Sequence, residues 1–227
     1  MTFTLDKVVP WGRSFHEYMA MFSLSEKDLG KRILACGDGP ASFNCILTKR
    51  GGHVISTDPL YSLDADAIKS RIHETYETVL EQTRKNKNEF VWTHIPSVEE
   101  LGRVRMKAMN YFLSDYTEGL AQKRYIKASL PNLPFGDREF DIALCSHFLF
   151  LYSDQFSADF HLTSIKELCR VAYQVRIFPL LELGSKKSRH LDGIVTLLTQ
   201  DGYKVHIEKV SYEFQKGGNE MLRINAT

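Results

Sequence analysis

Three stretches of the 227-residue chain hold chemistry-bearing residues at informative spacings. In the first, the apolar run Arg32–Cys36 opens into Gly37-Asp38-Gly39-Pro40-Ala41-Ser42. Glycine has no Cβ, so a ligand can approach the backbone, and a helix starting after the loop offers free N–H groups. Asp58, with Pro59 behind it, ends the next apolar run about 20 residues after Gly37, where a carboxylate can accept both hydroxyl protons of a ribose. A glycine turn or a solvated aspartate alone would be unremarkable. Together at this interval they read as a nucleoside site. A dinucleotide would want Gly or Ala where Ser42 stands, and Asp38 would oppose its pyrophosphate. Asp38 suits a cationic ligand with an amino group better.

The second stretch is Phe140–Ser146 (FDIALCS), followed by His147. A histidine just past such a run can act as a general base if the substrate arrives protonated. The plainer reading is a ring that packs or hydrogen-bonds beneath the ligand. The third is Trp11-Gly12-Arg13-Ser14-Phe15-His16-Glu17-Tyr18. Arg13 can pair with a carboxylate, and Trp11 or Tyr18 can shield a cation. The same segment also reads as a helix packing Phe15, Met19 and Phe22 on a sheet.

These residues need a scaffold, and hydropathy supplies one. A helix with Phe43, Ile46 and Leu47 on one face joins Arg32–Cys36 to His53–Thr57, and Gly51-Gly52 stops it. The result is a βαβ unit. Ile68, Ile72, Tyr76, Val79, Leu80 and Thr83 recur at helical spacing before the polar run at residues 84–88. Ser97 and Glu100 form a capping box ahead of a helix carrying Leu101, Met109, Phe112, Tyr116 and Leu120. Strands follow at 125–129, 140–146, 174–179 and 203–210, with helices around Ile165, Leu168, Cys169 and Ala172 and over 189–201. Gly217-Gly218 and residues 220–225 close a hairpin. Alternating strands and helices imply a mostly parallel sheet.

The net charge of +1 supplies no global field for nucleic acid or an anionic membrane. The four cysteines, Cys36, Cys45, Cys145 and Cys169, form no CxxC pair, so buried thiols in a reducing compartment are expected, with no metal. The N-terminus lacks a signal-peptide pattern and no window is apolar enough to span a membrane. A cytoplasmic location is expected.

With these residues in view, the chain resembles the class I S-adenosyl-L-methionine (SAM)-dependent methyltransferases over residues 33–210. Ala35-Cys36-Gly37-Asp38-Gly39 resembles that family's acidic-x-Gly-x-Gly loop, with Ala35 in place of the leading acid. Asp58 matches its ribose-binding acid and Pro59 its residue beside the adenine. Ser129-Leu130-Pro131-Asn132-Leu133-Pro134-Phe135 resembles its acid-to-Leu-Pro-Phe stretch, with Ser129 for the acid. Residues 140–147 resemble its central strand and the turn beneath the sulfonium, and residues 167–171 the helix after it.

The resemblance implies a Rossmann-like three-layer α/β sandwich with a mostly parallel sheet, a C-terminal antiparallel hairpin and a helical insertion. It implies SAM as cofactor and S-adenosyl-L-homocysteine (SAH) as product. Cofactor-binding residues would be Cys36, Gly37, Asp38, Gly39, Asp58, Pro59, Ser129, Leu130, Ser146 and Arg13, with His147 as candidate base. Residues 1–227 would form one domain, with an N-terminal helical segment (1–30) over the site. The insertion (64–124), with Tyr76, His94, Tyr111 and Tyr116, would be a lid or acceptor pocket.

Methyl transfer is an in-line displacement, promoted by holding acceptor and methyl about 3–3.5 Å apart. The expected acceptor is a small molecule. RNA is the runner-up, weakened by near-neutral charge and the lack of an appended RNA-binding module. A non-catalytic SAM-binding domain stays open through Ala35 and Ser129, and an NAD(P)-dependent oxidoreductase is the remaining alternative. The absence of Asn/Asp-Pro-Pro-Tyr/Phe after the central strand argues against amino-group methylation of DNA bases.

Overall fold

β1 (Arg32–Cys36) is apolar almost throughout because it lies at the centre of a sheet covered on both faces. The computed structural model describes residue 3 and residues 8–226. Parts of the expected 1–227 domain and 1–30 segment, namely residues 1, 2, 4–7 and 227, lie outside the described residues. β1 pairs in parallel with β2 (His53–Thr57) on one side and with β4 (Phe140–Ser146) on the other. β3 (Tyr125–Ile126) extends the sheet beyond β2, and β5 (Ala172–Phe178) continues it beyond β4.

Two further strands, β8 (Lys204–Lys209) and β9 (Glu220–Asn225), form the C-terminal hairpin, and β9 runs antiparallel to β5. The full order is β3-β2-β1-β4-β5-β9-β8. Chain order reverses at β1, and ligands of such sheets bind in the crevice past the carboxyl ends there. Register brings Cys36, Thr57 and Cys145 level, with Ser146 beside Phe178.

Alternate strand residues feed the two faces. Leu34, Cys36, Ala143, Cys145, Val175 and Ile177 pack under α6 (Ala158–Val171) and α7 (Leu191–Gln200). Ile33, Ala35, Ile142 and Leu144 pack under α1 (Phe15–Met21) and α3 (Phe43–Lys49). A short α2 (Glu26–Leu29) leads into β1. In the insertion, α4 (Ala65–Lys85) and α5 (Val98–Ala121) join Ile68, Ile72, Met109, Phe112 and Tyr116 to Tyr61 and Tyr125. Among the described residues no helix is long and apolar enough to cross a membrane.

The elements depart from the sequence reading in a few places. β3 holds two residues rather than five, because past Ile126 the chain leaves the sheet edge and crosses the strand ends, closed by a Ser129–Asn132 bridge. Ala172 opens β5 instead of ending α6. A two-stranded ribbon, β6 (Leu181–Glu182) with β7 (Lys186–Lys187), is too short to show a period-2 pattern. Ser97 does cap α5, accepting from the Glu100 amide at 3.1 Å, but the Glu100 carboxylate pairs with Arg103 and does not return to the cap. Complete capping boxes occur at Ser14/Glu17 and Ser25/Asp28.

Candidate active site

At the carboxyl ends of β1, β2 and β4 lies a cavity of about 730 Å³. Its lining includes Arg13, Cys36, Gly37, Asp38, Gly39, Asp58, Pro59, Ser129, Leu130, Ser146 and His147. Every site residue expected from the sequence therefore faces one space.

The loop after β1 turns through left-handed backbone at Gly37 (φ +63°) and Gly39 (φ +52°). A Cβ on Gly37 would press on the Phe148 ring at 3.1 Å, so this position needs glycine for its conformation and for its neighbour. The loop amides are already committed. Gly37 and Asp38 donate to the Thr57 carbonyl at 2.9 and 3.3 Å, and Gly39 donates to Asp58 Oδ2 at 2.9 Å. Asp58 also takes the Leu60 amide at 2.8 Å through Oδ1. What the loop presents to a ligand is carboxylate and backbone surface more than free N–H groups.

Asp38 is 6% exposed. Its carboxylate accepts from the Tyr18 hydroxyl, and from Ser56 Oγ at 2.7 Å. Burial pushes its pKa up to about 6, while both hydroxyl donors favour the charge and Asp58 opposes it. Burial also raises the pKa of Asp58, against the amides of Leu60 and Gly39. Two acidic groups thus share a partly dehydrated space that a cation would stabilise.

The N-terminal segment lies on this loop. A Cβ on Gly12 would collide with the Pro40 carbonyl oxygen at 2.1 Å, and Ser42 donates its amide to the Arg13 carbonyl at 3.0 Å. Arg13 donates to the Trp11 carbonyl, and its Nε meets no acceptor. Burial and neighbouring Arg105 lower its pKa to about 10, so it stays charged at neutral pH. Tyr18 departs from the expected cation shield. Its ring is stacked on Phe43 at 4.6 Å and set edge-on to Phe22, so it serves the site through its hydroxyl.

His147 stands at φ +51°, uncommon for a residue with a side chain and a mark of a locally constrained site. Its amide donates to the Phe178 carbonyl at 2.7 Å, and Nδ1 shares a 2.9 Å hydrogen bond with Ser146 Oγ. Burial, then Arg13 and Arg105, hold its pKa well below 6.5, so the imidazole is neutral at pH 7.

The insertion also contributes to the wall, though not with the expected tyrosines. Arg71, Val79 and Thr83 of α4 and Leu101 and Arg105 of α5 line the cavity. Tyr116 donates to the Leu63 carbonyl within its own cluster, Tyr76 lies against Trp11, and Tyr111 is exposed. Sequence reasoning missed Arg105, which is 0% exposed and donates through Nη1 to both Glu17 oxygens at 2.6 Å. It also missed Tyr212, whose hydroxyl donates to Glu17 at 2.8 Å. The signal for Arg105 was present: it falls in helical register with Leu101, Met109, Phe112 and Tyr116, and with Asp115 it is one of two charged residues on the buried face of α5.

No protein-family model matches the chain. The uncharacterized protein MJ0045 of Methanocaldococcus jannaschii is 37% identical over 221 residues, covering 97% of each chain. This chain belongs to the MJ0045 family. Solved structures similar to this MJ0045-family chain include magnesium protoporphyrin IX methyltransferase of Synechocystis PCC 6803 with bound SAM. It has 13% identity and a TM-score of 0.47, over 94% of this chain and 80% of that one. A SAM-dependent methyltransferase from Aquifex aeolicus has 14% identity and a TM-score of 0.45, over 93% of each. Likeness at this level says nothing of what the MJ0045-family chain binds.

Proposed function

We propose that the chain is a SAM-dependent methyltransferase that releases SAH and acts on a small-molecule acceptor. The observation that carries this reading is the grouping of Asp38, Asp58 and Arg13 around one cavity past β1, β2 and β4. SAM is an amino acid joined through a sulfonium to a nucleoside. The residues fit those parts: Asp38 suits the ammonium, the charged guanidinium of Arg13 suits the carboxylate, and Asp58 keeps lone pairs for the ribose hydroxyls. Pro59, Ser129 and Leu130 supply the walls for the base. When bound, SAM supplies an electrophilic methyl group.

The chain's own part is to position and to exclude water. Neutral His147, oriented by Ser146, can accept a hydrogen bond or a proton from an acceptor O–H or N–H. A pyrophosphate would meet Asp38 and Asp58 together, which disfavours NAD(P). A net charge of +1, with no global positive field to recruit a polyanion, favours a small molecule over RNA. Four buried free thiols fit a reducing cytoplasm.

Calorimetric titration with SAM, SAH and NAD tests the cofactor. Saturable binding of SAM and SAH with no response to NAD is expected, and the reverse would overturn the reading. An acceptor screen with labelled methyl donor then separates an enzyme from a domain that only binds.

A further inference from the structure

A row of polar groups runs from Asp38, past β1, through Tyr18 of α1 to Ser146 and His147 at the end of β4, and all four line the cavity. The Tyr18 hydroxyl donates to Asp38 Oδ1. Ser146 hydrogen-bonds the same Tyr18 oxygen, and its Oγ lies 2.9 Å from His147 Nδ1. The other Asp38 oxygen is taken by Ser56 at 2.7 Å. Tyr18 is buried with its ring stacked on Phe43, so its hydroxyl is held in one place.

Each hydroxyl has a single proton, so the row has one consistent direction. An ionised carboxylate only accepts, and Tyr18 gives its proton to Asp38. Burial and then Asp38 hold the Tyr18 pKa well above its ordinary value, so the phenol stays a donor at neutral pH. Its oxygen then accepts, and Ser146 gives its proton there. Ser146 Oγ is left to accept from His147, which places the imidazole proton on Nδ1. The lone pair is then on Nε2, which no group among the described residues hydrogen-bonds. Resting on the methyltransferase reading above, we propose that Tyr18 is a positioning residue that fixes the tautomer of His147 through Ser146. Nε2 is the atom that takes the proton of an acceptor O–H or N–H, whose electron pair stays on the acceptor atom. The opposite tautomer would turn an N–H toward that proton and could not remove it.

Long-range proton–nitrogen NMR correlations on the whole chain read which ring nitrogen carries the proton. At pH 8 the question has one answer, since His147 is neutral and Asp38 ionised. The His147 signals are assigned by their loss in His147→Gln. In the parent protein, with and without SAH, the Nδ1–H form is expected to outweigh the Nε2–H form roughly tenfold, the worth of one hydrogen bond. Tyr18→Phe keeps the stacked ring and breaks the row. Ser146 is then free to donate to Nδ1, and the preference is expected to vanish or reverse. Ser146→Ala removes the next link and is expected to erase the preference as well.

Ser56→Ala disturbs Asp38 from outside the row and is expected to keep the parent ratio. A proton on Nε2 in the parent, or a ratio that survives both Tyr18→Phe and Ser146→Ala, overturns the proposal. So does a change in Ser56→Ala as large as that in Tyr18→Phe, which would mark a general disturbance of the loop. SAH titrated into the same samples tests the reading beneath the proposal. Failure to bind overturns that reading and the role given to Nε2, whichever nitrogen holds the proton.

Discussion

The Gly39 amide donates to Asp58 Oδ2 at 2.9 Å, fastening the tip of the loop after β1 to the end of β2. The other oxygen of Asp58 takes the Leu60 amide at 2.8 Å. A carboxylate offers about four lone-pair sites, so Asp58 can hold the backbone and still accept from a ligand.

Asp58→Ala is therefore expected to weaken SAH binding roughly ten- to a hundredfold, the worth of a charge-assisted bond. Two backbone amides also lose their partner, so the midpoint of thermal unfolding should fall by a few degrees without loss of fold. Calorimetry and melting curves check both. A folded variant with parent affinity would place the ribose elsewhere.

Asp38 gives the site a pH dependence with a definite sign. Burial raises its pKa to about 6 in the free protein, so the protonated form gains as pH falls through that value. A ligand ammonium favours the carboxylate and pulls the pKa down on binding. Affinity for SAH is then full above about pH 7 and falls as pH drops through 6, by up to about tenfold per unit. Titration at pH 5 and 7.5 reads this, and Asp38→Asn should flatten the profile. A parent protein with flat affinity would separate Asp38 from the ammonium.

Because His147 is neutral well below pH 6.5, its own titration should leave no limb in the rate profile between about pH 6 and 8. With an acceptor that must lose a proton, His147→Ala is expected to lower turnover about 10²–10⁴-fold, with SAH affinity changing far less. Single-turnover transfer of labelled methyl measures it. Full turnover in the variant would leave positioning as the whole of catalysis.

Gly12 against Pro40, and Arg13 against Ser42, make the N-terminal segment part of the cavity roof. Hydrogen exchange at residues 8–18 and around Val79 and Leu101 is expected to slow when SAH binds, beyond the change at Gly37 and Asp58. Protection confined to the loop would make the insertion a structural appendage.

The sheet was legible because buried parallel strands leave apolar runs such as RILAC and FDIALCS, and the Gly37–Asp58 interval fixed how two of them connect. The side of the cavity formed by Gly37, Asp58 and His147 was legible for the same reason, since these residues sit directly at strand ends. The far wall was not. Arg105 and Tyr212 meet at Glu17 from α5 and from the hairpin approach, and no local pattern encodes such a meeting. The two-residue ribbon at 181–187 likewise carries too little sequence to display a period.

Glu17 closes the capping box of α1 at Ser14, and its other partners, Arg105 and Tyr212, lie 88 and 195 positions along the chain. Contacts so distant demand loop closures that only an assembled sheet makes affordable. The node therefore belongs to the last stage of folding, and its loss should hasten unfolding far more than it slows folding. The wall it closes is expected to form late and to open early, which φ-values near zero at Glu17 and Arg105 would show.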